Sequence, residues 1–93
     1  MLNYEQDRRA RLVAIIGEIA QTDAGKIQGE ERLREDLGLD SLGSLELLSS
    51  ISEELKIHLE VEDAMDLRTV DDACAFVERH YQKQRPDVRV ATA

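Results

Sequence analysis

The passage from loop to helix is marked by the segment LGLDSLGSLELL, residues 37–48 of a 93-residue chain. Asp40 is a suitable N-cap, because its carboxylate can accept a hydrogen bond from a backbone N–H two or three residues later. We predict a helix over about residues 41–55, with Ser41 exposed in its first turn. Apolar residues at spacings of three or four predict its inward face: Leu42, Leu45, Leu48, Ile51 and Leu55.

Ser41 is the candidate functional residue of this segment. A helix start carries unpaired N–H donors and partial positive charge, so a phosphoryl group on this hydroxyl would be favoured by about 0.3–1 kcal/mol. Considered without its neighbours, a serine near an N-cap is more often structural than functional. The neighbours favour function, because Leu37-Gly38-Leu39-Asp40-Ser41-Leu42 followed by Leu45-Glu46-Leu47 resembles the attachment motif of acyl carrier proteins. In that family the serine receives 4'-phosphopantetheine from coenzyme A.

The resemblance extends without a gap from about Leu33 to Val77. Glu35-Asp36-Leu37-Gly38 matches the acidic-leucine-glycine run before the motif. Further family positions follow the motif: Ile57, Leu59, Asp63, Ala64, Thr69-Val70 and Asp72-Ala73. The resemblance implies an all-α fold, a small antiparallel four-helix bundle of three longer helices and one short one. We expect a carrier domain over residues 1–85 and a flexible tail over residues 86–93.

The resemblance also implies a function. Acyl groups would travel as thioesters on a phosphopantetheine arm at Ser41, for partner enzymes of fatty acid, lipid or polyketide-like synthesis. The expected partners are a phosphopantetheinyl transferase and acyl-transferring, condensing or ligating enzymes with basic docking patches. The chain itself would not be an enzyme. The expected docking residues are Asp40, Leu42, Glu46, Glu53 and Glu54. An unmodified helical interaction module of the same fold is the alternative.

Charge narrows the range of partners. Twenty acidic and twelve basic residues give a net charge of −8, which argues against nucleic acid and anionic membranes, since both are negatively charged. Between residues 35 and 66, ten acidic residues accompany one basic residue, Lys56. Such a run can simply be a solvated surface. Because it surrounds Ser41, we favour the steering of basic partner enzymes toward the serine.

Composition bears on the core and the compartment. The aromatic residues are Tyr4, Phe76 and Tyr81, so the core must be mainly aliphatic, and we expect it to part for a flexible acyl chain. A single cysteine allows no intrachain disulfide, which fits the cytosol. The longest apolar run, residues 12–16, is far shorter than a membrane span. We therefore expect a cytoplasmic monomer without stable membrane insertion.

The remaining helices can be placed by caps and periodicity. Asn3 and Gln6 form a possible capping box for a first helix over about residues 4–21. Its inward stripe is Leu12, Ile15, Ile16 and Ile19, and its solvated face is Arg8, Arg9 and Arg11. A long irregular connection follows over residues 22–40, anchored by Leu33 and Leu37.

After the second helix, residues 56–61 form an extended segment that buries Ile57 and Leu59, and residues 62–67 form a short helical turn. Thr69 is the predicted N-cap of the last helix, which Pro86 ends. Its inward stripe is Val70, Ala73, Cys74, Val77 and Tyr81, with Cys74 a buried core thiol.

Other chemistry has little support. His58, His80 and one cysteine are too few for a metal site, and none is expected. His58 is formally a base for a serine hydrolase at Ser41, but the G-x-S-x-G elbow is missing. Several residues depart from the common fatty-acid pattern and indicate a specialised carrier: Gly43, Ser49, Ser52, Lys56, His58, Glu60 and Val61.

Overall fold

The computed structural model describes residues 4–84, without the side chains of residues 4, 63 and 64. Four α-helices follow in chain order: α1 (Tyr4–Ala20), α2 (Ser41–Leu55), α3 (Val61–Ala64) and α4 (Val70–Gln84). The predicted all-α fold of three longer helices and one short one is confirmed. The predicted Asn3 cap, Pro86 stop and C-terminal tail lie outside the described residues.

A mainly aliphatic core joins the helices. Helix α1 packs against α2 and α4, and α3 packs against α2. Ile16 and Val70 are fully buried, and Phe76 is the one aromatic side chain buried among the described residues. The other buried core residues are Leu12, Leu33, Leu39, Leu47, Leu48, Ile51, Leu55, Ile57, Leu59, Ala73 and Val77.

Helix α1 ends with a residue in the left-handed conformation. Gln21 has φ 56°, and the Thr22 N–H donates to the Gly17 carbonyl over 2.9 Å, a closure typical of helix C-termini. Of its predicted inward stripe, two residues are buried and two, Ile15 and Ile19, are half-buried against the core.

The prediction of a solvated basic face on α1 is wrong for Arg8, while Arg9 and Arg11 are exposed as expected. Arg8 donates to both carboxylate oxygens of Glu78 on α4, and its guanidinium lies 4.2 Å from the centre of the Tyr81 ring. Arg9 forms a more exposed pair with Asp71. These side chains tie α1 to α4, which only the three-dimensional packing reveals.

The long connection is more regular than predicted. Residues Ala24–Lys26 form a 3₁₀-helix, and an isolated antiparallel bridge pairs Arg32 with Thr69. Leu33 is buried as expected and Leu37 is half-buried. The Leu33 N–H donates to the Arg68 carbonyl over 2.7 Å. This bridge fastens the segment before α2 to the start of α4.

The segment between α2 and α4 follows the sequence pattern closely. Ile57 and Leu59 are buried, and the short helix begins at residue 61, one residue earlier than predicted.

Thr69 caps α4 through its hydroxyl, which accepts from the Asp72 N–H over 3.1 Å. Cys74 is only half-buried, so the expectation of a fully buried thiol is corrected. Burial nevertheless raises the pKa of this thiol.

Candidate functional site

The site is built on the first turn of α2. Asp40 is extended, and its Oδ1 accepts from the Gly43 N–H over 2.9 Å, while its carbonyl accepts from the Ser44 N–H over 2.9 Å. Ser41 follows as the first helical residue, and its side chain is exposed. Within residues 4–84 its hydroxyl takes part in no hydrogen bond. The predicted cap is confirmed, and the Ser41 hydroxyl is accessible.

The predicted inward face of α2 is wrong at its N-terminal end. Leu42 is 64% exposed and Leu45 is 44% exposed. The buried residues are Gly43, Leu47, Leu48, Ile51 and Leu55. Since each helical residue adds about 100° of rotation, the nine-residue step from Leu42 to Ile51 adds about 900°, which places them on opposite sides.

The exposed face of α2 combines leucine with carboxylates. Leu42, Glu46 and Glu53 are all exposed, at offsets of four and seven that place them on one stripe. Asp40 precedes the helix and Glu54 lies on a neighbouring face, and both are exposed. The expected docking residues are therefore all exposed, and three of them share one stripe of α2.

An apolar cleft opens at the same end of α2. It has a volume of about 560 Å³, and Ser41, Ser44 and Leu45 line it together with residues of α3, α4 and the segment before α2. Three of its lining residues are large, apolar and exposed: Leu45 at 44%, Val61 at 47% and Met65 at 79%. With Leu42 they form what we call the apolar patch.

A hydrolytic reading of Ser41 has no geometric support. His58 comes three residues after the end of α2, whereas Ser41 begins it, and fifteen helical residues span about 22 Å. The exposed His58 ring instead forms a hydrogen bond with Glu60 over 2.8 Å.

The side chains that the structure describes form no group of three or more His, Cys, Asp or Glu suited to a metal ion. Among the helices within residues 4–84, none has the length and hydrophobicity to cross a membrane.

Comparison with known proteins identifies the family. A family model described as a phosphopantetheine attachment site matches residues 10–77. The chain is 32% identical over 75 residues to an acyl carrier protein of Phaeodactylum tricornutum, covering 81% of this chain and 99% of that one. The chain belongs to the acyl carrier protein family.

Further relatives agree with that identification. An acyl carrier protein of Helicobacter hepaticus is 35% identical over 65 residues, which are 70% of this chain and 86% of the relative. A solved structure assigned as an acyl carrier protein from Mycobacterium tuberculosis superposes with a TM-score of 0.70 at 32% identity, covering 76% of this chain and 95% of that one. Both the sequence and the fold therefore match over most of the chain.

Acyl carrier proteins are carriers and not enzymes, and they carry a covalently attached 4'-phosphopantetheine. They work with a phosphopantetheinyl transferase and with enzymes that handle acyl groups. The residues of this carrier fit such a group. The hydroxyl of Ser41 is exposed, the helix start favours a phosphodiester beside it, and the adjoining cleft offers apolar walls.

Sequence reasoning missed parts of the site. Leu39 is buried beneath Gly43 and lines the cleft, and Phe76 contributes to the wall of the cleft from α4. Spacing from Val70 or Ala73 would have found Phe76, since three-residue steps lead from each to the next. No local pattern separates Leu39 from its leucine neighbours.

Proposed function

We propose that Ser41 is the residue to which the phosphopantetheine is attached, through a phosphodiester on its Oγ. The observation that supports this most strongly is an accessible hydroxyl without a hydrogen-bond partner in residues 4–84, at the first residue of a helix and at the mouth of an apolar cleft. When bound, the group supplies a thiol that carries an acyl group as a thioester.

The chain positions this thiol and presents it to partners. Asp40 fixes the start of α2 by capping Gly43, so that Ser41 is held at a defined corner. The buried face formed by Leu47 and Ile51 holds the helix against the core. The cargo can then shelter in the cleft, since most of its lining residues are apolar. Burial of methylene groups there is favourable by about 0.8 kcal/mol each.

Partner enzymes would dock on the exposed face of α2 and the apolar patch. Leu42 would enter an apolar depression of the partner, and Glu46 and Glu53 would face its basic residues. A small interface of this kind releases its partner quickly, which suits a carrier that visits several enzymes.

The departures from the common fatty-acid pattern support a specialised carrier. Lys56 and His58 are exposed, so the surface after α2 offers less negative charge than in the common pattern. We assign the carrier to the lipid or polyketide-like branch of acyl synthesis in the cytoplasm. The half-buried Cys74, the single cysteine of the chain, is compatible with that reducing compartment.

The attachment is tested by incubating the purified chain with coenzyme A and a broad-specificity phosphopantetheinyl transferase. Intact mass spectrometry should show the gain of one phosphopantetheinyl group in the wild type and no gain in Ser41→Ala. The matched control is Ser49→Ala, which alters another exposed serine of α2 and should be modified normally. A wild-type chain that stays unmodified would instead support the unmodified interaction module.

Docking is tested separately by charge reversal. Glu46→Lys should lower the kcat/KM of the transferase about tenfold, corresponding to the loss of about 1.4 kcal/mol of interaction. Glu18→Lys makes the same charge change at an exposed position on a different helix, α1, and it should leave kcat/KM within about twofold. Equal effects of the two variants would refute docking through α2.

A further inference from the structure

A group of arginines lines one side of the cleft that begins at Ser41. The three residues are Arg32, Arg34 and Arg68. They stand out because the chain has a net charge of −8 and because Lys56 is the one basic residue between positions 35 and 66. Three of the twelve basic residues therefore line the cleft, while the surface around α2 is acidic.

The backbone holds these arginines on two adjacent segments. Leu33, which separates Arg32 from Arg34, donates its N–H to the Arg68 carbonyl over 2.7 Å. The antiparallel bridge between Arg32 and Thr69 extends the same contact. The backbone segments that carry the arginines are thus joined by hydrogen bonds.

Two of the three arginines are not neutralised by the protein. Arg32 pairs with Asp36, with 3.3 Å between Nε and Oδ2. Arg34 and Arg68 are exposed, and within residues 4–84 neither guanidinium forms an ion pair or a hydrogen bond. Asp72 accepts from the backbone N–H of Arg68 and not from its side chain. Two carboxylates, Glu35 and Asp40, also line the cleft. Glu35 follows Arg34 in the chain, and Asp40 accepts the capping hydrogen bond from the Gly43 N–H.

We propose that Arg34 and Arg68 form an anion-binding subsite of the cleft, and that the carried acyl group ends in a carboxylate. The inference rests on the proposed attachment at Ser41, which brings the cargo to this cleft. Apolar walls would accept the methylene groups of such a cargo, and guanidinium groups match a carboxylate in charge and shape.

Tethering strengthens this contact. A group linked to Ser41 by a flexible arm experiences an effective concentration in the millimolar range. Even a subsite with weak intrinsic affinity would then be occupied for much of the time. Binding to the folded state alone raises thermal stability, so occupancy can be measured as an increase in Tm.

The test compares two cargoes of equal chain length on the full chain. Butyryl and succinyl groups both have four carbons, and only succinyl ends in a carboxylate. We expect the succinyl form to melt about 2–4 °C above the butyryl form at low salt, as half to three-quarters occupancy of the subsite predicts for a domain of this size. The difference should disappear in Arg34→Gln/Arg68→Gln. It should persist in Arg11→Gln/Arg79→Gln, which removes equal charge at exposed positions outside the cleft.

Two results would overturn the inference. Equal Tm values for the two cargoes in the wild type would show that the carboxylate is not bound. A rise of the same size on addition of the arm alone, lost in Arg34→Gln/Arg68→Gln, would show that the arginines bind the phosphodiester instead. Intact mass separates this failure from that of the proposed function. A chain that accepts no arm overturns both, whereas a fully loaded chain with equal Tm values overturns only the subsite.

Discussion

The pair between Arg8 and Glu78 is the most consequential polar contact between α1 and α4, and its removal gives a sharp test of the packing. The Arg8 side chain is 11% exposed and that of Glu78 is 20% exposed. Two charge-assisted hydrogen bonds join them, and Gln82 donates a further bond to the same carboxylate. Arg8 also stacks on the Tyr81 ring. The substitution Arg8→Met removes the two bonds to Glu78 and the contact with the Tyr81 ring, while keeping most of the apolar stem.

The expected loss of stability in Arg8→Met lies between two known limits. An exposed ion pair contributes about 0–1 kcal/mol, and breaking a fully buried pair costs about 3–5 kcal/mol. Because the Arg8 pair is mostly but not completely buried, we expect Arg8→Met to lower the free energy of unfolding by about 2–3 kcal/mol. For a chain of 93 residues this corresponds to a fall in Tm of roughly 10 °C or more.

Urea unfolding of Arg8→Met, Glu78→Gln and the double variant isolates the pairwise energy. We expect a coupling of about 1–2 kcal/mol at pH 7. Arg9→Met is the matched control on the same helix, because its pair with Asp71 is largely exposed. It should cost about 0.5 kcal/mol or less. Zero coupling, or equal losses for the Arg8 and Arg9 variants, would refute the packing of α1 on α4 described above.

The stability that the Arg8–Glu78 pair contributes depends on pH with a defined sign. The hydrogen bonds from Arg8 hold the pKa of Glu78 below its ordinary value of 4.5. A carboxylate with a lowered pKa in the folded state binds its proton more readily when unfolded. The stabilisation is therefore complete above the unfolded pKa and is lost as the pH falls through the folded pKa. The coupling should be constant from pH 7 to pH 6 and should decrease below about pH 4.5.

The remaining predictions concern single positions. Gly17→Ala should destabilise the protein by about 1–3 kcal/mol, because a Cβ would lie 2.7 Å from the Thr22 carbonyl oxygen. In contrast, Gly43→Ala should stabilise α2 by about 0.5–1 kcal/mol, since the atoms nearest to an added Cβ there lie at 3.5 Å. Chemical unfolding measures both changes in the free energy of unfolding. A Gly17→Ala variant more stable than the wild type would contradict the expected clash with Thr22. Asp40→Ala should cost about 0.5–2 kcal/mol through loss of the cap, and Asp40→Asn should recover most of it. Cys74 should react with a disulfide reagent several-fold more slowly than free cysteine at pH 8, because burial raises its thiol pKa; an equal rate would argue against its half-buried position.

The start of α2 was predictable because its signals are local. Asp40 caps a backbone N–H only three residues away, so the sequence alone locates the helix start and the exposure of Ser41. Thr69 marks α4 in the same way. The burial of Ile57 and Leu59 also follows from local alternation. Signals of this kind depend on neighbours within one turn or one strand repeat.

The face that α2 turns toward the core was harder to predict than the start of the helix. Leucines at positions 42, 45, 47 and 48 fit more than one stripe at spacings of three or four. The stripe actually buried includes Gly43, whose missing side chain gives no hydrophobic signal. Leu39 packs on that glycine and occupies the space beside it. Apolar spacing therefore predicted the correct helix but the wrong face at its N-terminal end.

Contacts between distant parts of the chain were beyond the reach of sequence patterns. Arg8 and Glu78 are 70 residues apart, and the pairing of residues 31–33 with residues 68–70 joins a loop to a helix start. Charged residues on a helix give no indication of which are solvated until the neighbouring helix is in place. The same holds for Arg34 and Arg68, whose common position in the cleft depends on that pairing.

The central claim is that Ser41 holds the prosthetic arm, and the protein purified from its native host tests it most directly. Intact mass followed by fragmentation of the peptide that spans residues 35–56 should show one phosphopantetheinyl group, with or without an acyl group, on Ser41. Absence of the group from the native protein, or its presence on a different residue, would contradict the account.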